Sequence, residues 1–203
     1  MPIAVRACTP DDFVRLAAAF GAGRLAHHRA RYDLQERGEG WYLLAGDRAE
    51  VLGRVTLSFQ SKYSGVRTAF GDFPEMNGLE ADPPGHGTGT AIIRAAEDAA
   101  AARGATTIGL AVGVDNAGAQ RLYRRLGYAD WGPGRVCDEW TEPDAGGTVT
   151  AIHRDPCDYL IKELAPRAAT RSVLCAYAPN ESACLHTERR RRQLSGTERR
   201  RRS

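Results

Sequence analysis

Two short stretches of this 203-residue chain carry residue types and spacings that could do chemistry. The first is Pro84-Gly85-His86-Gly87-Thr88-Gly89-Thr90, directly ahead of an alanine-rich helical stretch over Ala91–Arg103. Residues without a Cβ let the backbone turn sharply and aim several N–H groups at one point. At a helix N-terminus those groups and the helix dipole favour a phosphate or pyrophosphate. The second stretch, Asn116–Tyr128, opens with Asp115 or Asn116 as a helix cap. It continues with Ala119, Leu122 and Leu126 as a buried stripe and closes at Gly127. The glycine run is not a P-loop, because Thr90-Ala91 rather than Lys-Ser/Thr follows Gly89. It is not G-x-G-x-x-G either: the third position is Thr90 counted from Gly85 and Ile92 counted from Gly87. The residues therefore imply an anionic cofactor held by some other arrangement of strand, turn and helix.

The elements that must position these stretches are legible in the surrounding pattern. Ile3–Ala7 suits an opening strand, and Thr9-Pro10-Asp11-Asp12 carries the signals of a helix start. Phe13, Leu16, Ala17 and Phe20 recur at helical spacing up to Gly21, and Arg24–Arg37 reads as a second helix. Its His27 and His28 are expected on a solvated face, since no metal-ligand spacing accompanies them. Trp41–Ala45 and Val51–Phe59 form a hairpin, and Gln60–Phe73 reads as a loop reaching into another strand. Pro74–Ala81 is that strand, with Gly78 marking a bulge or a close backbone approach. Thr106–Val112 is apolar or small on both faces, which predicts a covered interior strand. Trp131–Trp140, Thr148–His153 and Cys157–Leu164 supply further strands.

With both motifs placed, the chain resembles the GNAT superfamily of N-acetyltransferases. That family's cofactor turn is Gln/Arg-x-x-Gly-x-Gly/Ala at a helix start, and the glycines of Pro84–Gly89 match it. Its second signature is an Asn followed by a short helix ending Leu-Tyr-x-x-x-Gly-Tyr/Phe, matched by Asn116 and Leu122–Tyr128. Pro84 stands where the family prefers Gln or Arg, and Thr88 where it has an aliphatic residue. The resemblance runs from Ile3 to Leu164, about four-fifths of the chain. It implies a single α/β domain with a central, mostly antiparallel mixed sheet flanked by helices.

The resemblance also implies the chemistry. Acetyl-CoA is the acyl donor, and an amine of a small molecule or a protein attacks it directly. Leu79, Ala81, Gly85, His86, Gly87, Thr88, Gly89, Thr90, Asn116, Ala119 and Tyr123 are the cofactor-binding positions that it implies. Tyr123 is the general acid for the departing thiolate. Glu75, at the start of the strand ahead of the cofactor turn, is the base for the amine, with Glu80 as its rival. Backbone N–H groups near Leu79–Ala81 would stabilise the oxyanion, and Gly113 fits the splayed strands between which the pantetheine arm lies. Structural readings stand beside these: a core aromatic for Tyr123, a helix cap for Asn116 and an exposed strand-edge acid for Glu75.

Composition bounds the rest. Up to Leu164 there are 18 Lys+Arg against 22 Asp+Glu, a net of −4, whereas from Ala165 onward 10 Arg face 3 Glu, a net of +7. The segment 165–203 lacks a sustained apolar period, repeats Thr-Glu-Arg-Arg-Arg-Arg, and reads as a disordered basic tail. Five scattered cysteines with no Cys-x-x-Cys, and no signal peptide, point to reduced thiols in a cytoplasm. No metal site and no membrane span are expected, and a homodimer is compatible with the pattern. Two other classes stay open: a catalytically silent acyl-CoA-binding or regulatory module, and nucleic-acid binding through the arginines of the tail. If the domain is complete at Leu164, a chain ending there will melt within a few degrees of the full-length protein. A loss of many degrees on truncation would show that the tail belongs to the fold.

Overall fold

The computed structural model of the chain describes residues 3–47, 49–143 and 149–165. The arginine-rich tail and the cysteines at 175 and 184 lie outside them. Seven strands form one sheet in the order β1-β2-β3-β4-β5-β7-β6, antiparallel throughout except for β4 beside β5. They are β1 (Val5–Ala7), β2 (Gly40–Gly46), β3 (Val51–Ser58), β4 (Glu75–Ala81), β5 (Thr107–Gly113), β6 (Ala129–Pro143) and β7 (Val149–Glu163). The helices are α1 (Phe13–Phe20), α2 (Leu25–Glu36), α3 (Ser64–Phe70), α4 (Thr88–Ala102) and α5 (Ala117–Arg125). The expected mixed, mostly antiparallel sheet flanked by helices is what forms.

Period-two alternation sorts the side chains into two faces. Trp41, Leu43, Ala45, Val55, Leu57, Ile108, Leu110 and Val112 share a core with Ile92, Ile93, Ala96, Ala99 and Ala100 of α4. Tyr42 and Leu44, the alternate residues of β2, pack instead with Leu16 of α1. Farther along that opposite face, Val66 of α3 meets Phe73 and Tyr159. Ile92 and Ile93 are fully buried, worth about 1.5–3 kcal/mol each. The buried alanines that follow, Ala96, Ala99 and Ala100, bring α4 down close against the sheet. At Gly53 of β3 a Cβ would meet Ile92 at 2.7 Å, so that strand position is kept bare for the helix.

Three expectations need correction. The segment 60–73 is not all loop, because α3 occupies its middle, anchored by fully buried Val66. The stretches 148–153 and 157–164 are not separate strands: β7 runs continuously through Pro156, which pairs with Cys137 of β6. His28 is not solvated. It is fully buried, and its Nδ1 lies 2.7 Å from the Tyr42 hydroxyl. His27, one residue back, is exposed as expected.

Near the N-terminus, Thr9 and Asp12 form the anticipated helix-start box. The Thr9 N–H donates to Asp12 Oδ2 at 2.8 Å and the hydroxyl at 2.9 Å. Arg6 grips the same buried carboxylate at 2.6 Å to each oxygen, and Arg15 joins it. Burial opposes ionisation, but these donors prevail and hold Asp12 well below the usual carboxylate range.

Burial, reinforced by Arg54, Arg24 and Arg31, pushes His28 down to about 4. An unfolded imidazole titrates near 6.5, so between those values the unfolded chain binds the extra proton and stability falls as pH falls. Asp12, with its pKa held below its unfolded value, loses its contribution at lower pH, below about 4. Thermal melts from pH 7 to pH 4.5 should therefore drop steeply. The His28→Gln protein should show a flatter profile over that window, and equal slopes would remove His28 from the account.

Candidate functional site

The site begins where two strands part. β4 and β5 are seven residues each, yet only Glu75↔Gly109 and Met76↔Leu110 pair. Beyond Met76, β4 remains fastened to β3, while β5 follows β7 through seven pairs to Gly113↔Cys157. A bulge sits in β4 at Gly78, where φ is +59° and the register against β3 slips between Arg54 and Thr56. That backbone angle suits glycine. The edge of β4 from Asn77 to Ala81 therefore faces an open fork rather than a neighbouring strand. Leu79 and Ala81, two of the expected cofactor positions, are half-buried on this edge.

At the mouth of the fork the chain turns into α4. Gly85, His86 and Gly87 are exposed, and Gly87 caps the helix with φ +86° and no side-chain cap. The first N–H groups of α4, at Thr88, Gly89 and Thr90, therefore carry the free donors of a helix N-terminus. Thr88 is buried at the sheet. Gly89 looks across to Leu122 of α5, where an added Cβ would sit at an ordinary 3.5 Å. α5 lies alongside. Asn116 is its cap, with its side-chain oxygen accepting the Ala119 N–H at 3.0 Å, as the structural reading of that residue anticipated.

Tyr123 sits one helix turn farther along α5, 7% exposed, edge-on to Tyr128 at 5.8 Å. Among the described residues its hydroxyl takes part in no protein hydrogen bond. Burial pushes it up to about 12, so it keeps its proton at neutral pH.

Glu75 is on the opposite face and is not an exposed strand-edge acid. It is fully buried one pair below the fork. Tyr159 donates to its Oε2 at 2.8 Å, Ser61 donates to the same oxygen, and the Lys62 N–H reaches Oε1 at 3.3 Å. The Tyr159 hydroxyl reaches across β5 only because residue 109 is glycine. A Cβ there would collide with that hydroxyl and approach the Phe73 ring to 2.7 Å. Burial, then the Glu75 charge, hold the Tyr159 phenol above its ordinary range. Ser61 also lines a cavity of about 530 Å³ under the C-terminal end of α2.

Glu80, the rival acid, is committed elsewhere. It pairs with buried Arg54 and with Arg24 at 2.9 Å. Burial works against its charge, but those two guanidiniums outweigh it and lower the carboxyl. Arg31 of α2 completes the group, bonded to Thr56 and lying over Gly78. Sequence reading missed Ser61, Tyr159, Arg31 and Arg54. They carry no local motif and meet only because non-adjacent strands and helices bring them together. No cluster of potential metal ligands occurs among the described residues, and none of their helices is long and apolar enough to cross a membrane.

The profile of the Acetyltransferase (GNAT) family matches residues 11–128. Among solved structures, the N-acetyltransferase of Staphylococcus aureus Mu50 aligns with a TM-score of 0.59 at 12% identity, over 81% of this chain and 100% of its own. The ribosomal-protein-alanine N-acetyltransferase of Brucella melitensis gives 0.57 at 17% identity, over 79% and 99%. A GNAT superfamily phosphinothricin acetyltransferase of Sinorhizobium meliloti, solved with AcCoA, gives 0.55 at 17% identity, over 84% and 92%. At these identities the structures speak for the fold. No curated protein matches by sequence.

The bare position at 109 gives a direct test of the Glu75 cluster. Gly109→Ala should cost about 1–3 kcal/mol through overpacking. In combination with Tyr159→Phe the total loss should be smaller than the two single losses added, because the hydroxyl that the methyl strikes is then gone. Strict additivity in denaturant melts would refute the close approach.

Proposed function

The chain belongs to the GNAT acetyltransferase family, and we propose that its residues divide acetyl transfer between the two faces of the split sheet. It is an acyltransferase whose donor is acetyl-CoA. In our reading the pyrophosphate rests on the N–H groups of Thr88, Gly89 and Thr90 and the pantetheine follows the open edge of β4 past Leu79 and Ala81. The observation that supports this most is the fork itself, with an uncapped helix N-terminus at its mouth. Pro84 supplies no cation where the family has Gln or Arg, so backbone donors carry the anion. Asn116 serves as the cap of α5, and Ala119 and Tyr123 follow on that helix.

The acceptor is a primary amine. Its nitrogen attacks the thioester carbonyl, a C–N bond forms, and the C–S bond breaks. The nitrogen gives up one proton and the sulfur takes one. Tyr123, protonated up to about 12 and buried beside the fork, is the donor to the thiolate. Backbone N–H groups near Leu79–Ala81 receive the oxyanion. Burial pushes Cys8 up to about 12 and Cys157 up to about 11, so neither buried thiol supplies a nucleophile and direct attack is favoured. Free thiols inside the fold also fit a reducing, cytoplasmic setting. Residues 1–164 form the catalytic domain in this account, with 165–203 as an appended basic tail.

Glu75 accepts the amine proton, with Ser61 connecting it to the adjacent cavity. Its complete enclosure by protein donors favours a second reading, in which it fastens the 60–73 segment to β4. One set of variants separates these roles. Tyr123→Phe should lower kcat by about 10–1000-fold with acetyl-CoA affinity unchanged. Glu75→Gln as the loss of a base should have a defect that shrinks toward the amine's own pKa near 10, where free amine is abundant. A fastening role gives a constant defect and a lowered Tm. Gly89→Glu, placed where a side chain is sterically tolerated, should abolish CoA binding in calorimetry without loss of stability. Unchanged CoA affinity there would move the cofactor elsewhere.

A further inference from the structure

Three arginines converge on the side of the fork opposite the cofactor turn, and the structure gives them one carboxylate. Arg54 is almost wholly buried and Arg24 is exposed, and both take Glu80. Arg31 is half-buried and has no acid of its own. Its Nη1 donates to the Thr56 hydroxyl and, at 3.4 Å, to the Asn77 carbonyl, while its Nε donates to His27 Nε2 at 2.7 Å. All three acceptors are neutral. Among the described residues no carboxylate lies within ion-pair reach of Arg31. Glu80 and Asp138 act on it only at longer range, and Asp138 is itself held by Lys62.

A guanidinium taken out of water ordinarily acquires an anionic partner, because its desolvation is otherwise unrecovered. The place where this one lacks it is specific. Its Nη2 lies over Gly78, 2.6 Å from where a Cβ would stand, beside the part of β4 that has left β5. Glycine at 78 thus serves twice, for the bulge and for the guanidinium above it. That is the point at which an acceptor must meet the acetyl group.

We propose that Arg31 binds an oxyanion of the acceptor, and that the acceptor is a small amino acid or aminophosphonate carrying that oxyanion close to its amine. The inference rests on the fork being the transfer site. A planar guanidinium offers two parallel N–H donors to a carboxylate or phosphonate. The excess positive charge of Arg24, Arg31 and Arg54 over Glu80 disfavours a polycationic acceptor. It also favours the neutral form of the bound amine, which is the form that attacks. The oxyanion pair is unchanged by the transfer itself, in which amine and acetyl-CoA give amide and CoA thiol.

The test is thiol release from acetyl-CoA with the twenty amino acids, their C-terminal amides, α-aminophosphonates and spermidine, beside calorimetric titration of acetyl-CoA. At least one acid should exceed its own amide by about tenfold or more in kcat/KM. Arg31→Gln should bring that acid-to-amide ratio close to one, mainly through KM, with Arg31→Lys intermediate and the melting temperature of each variant recorded. An unaltered ratio in both variants overturns the assignment. So does an amide or spermidine that matches the best acid, or acetyl-CoA binding with no acid acetylated. A silent acetyl-CoA titration would instead overturn the underlying acetyltransferase site. Phosphonate against carboxylate tells which oxyanion the fork prefers.

Discussion

β4 and β5 stay hydrogen-bonded for two residue pairs and then separate, and each is held open by its outer neighbour. β3 keeps β4 on one side and β7 keeps β5 on the other, so the gap is a product of the whole sheet. A parallel pair needs a long crossover, and α4 is that crossover. Its N-terminus therefore has to lie at the mouth of the gap its own strands create. Backbone groups along such an edge carry unspent hydrogen-bonding capacity, which water or a ligand must take up. The split sheet and the anion-receptive helix end are thus one constraint seen from two sides.

The two faces of that split are chemically unlike. The α4 side presents main-chain donors, a small-residue helix and a buried phenol. On the α2 side lies side-chain charge, with buried Arg54 paired to a half-exposed Glu80 and Arg31 left to neutral partners. Breaking one partner of a buried pair usually costs more than the pair contributes. Glu80 is therefore bound to its arginines more firmly than a base that must cycle its proton could be. Its neighbour in sequence, Leu79, belongs to the opposite core, as expected from strand alternation.

Much of this architecture was legible beforehand. The glycine run and the Asn116–Tyr128 helix are local signals, and local signals survive in sequence. The bulge at Gly78 was visible for the same reason, as a glycine interrupting a strand pattern. What could not be seen was convergence. Tyr159 on β7, Ser61 ahead of α3 and Glu75 on β4 meet through an empty position at 109, and nothing near any of them in sequence marks the meeting. His28 misled for a related reason. A polar, charge-rich helix hides two inward polar positions, His28 and Gln35, and the Tyr42 hydroxyl meets the His28 ring there. Helix α3 was too short and too weakly apolar to announce itself, with Val66 its one buried residue.

The long hairpin of β6 and β7 runs past the rest of the sheet. β5 ends opposite Cys157, yet the ribbon continues for seven more pairs, from Cys137↔Pro156 to Pro143↔Val149. Beyond that point no third strand among the described residues supports it. It relies on cross-strand contacts at the surface such as Trp140 stacked on half-buried His153 at 4.0 Å and exposed Arg154 on Glu139 at 2.9 Å. A two-stranded ribbon of this kind is marginal by itself. Its amides will open to solvent exchange in a unit of their own, while those around Leu160 wait for global unfolding. The ribbon is therefore expected to open before the rest of the sheet. The pair of Lys62 with Asp138 ties the ribbon back to the segment ahead of α3.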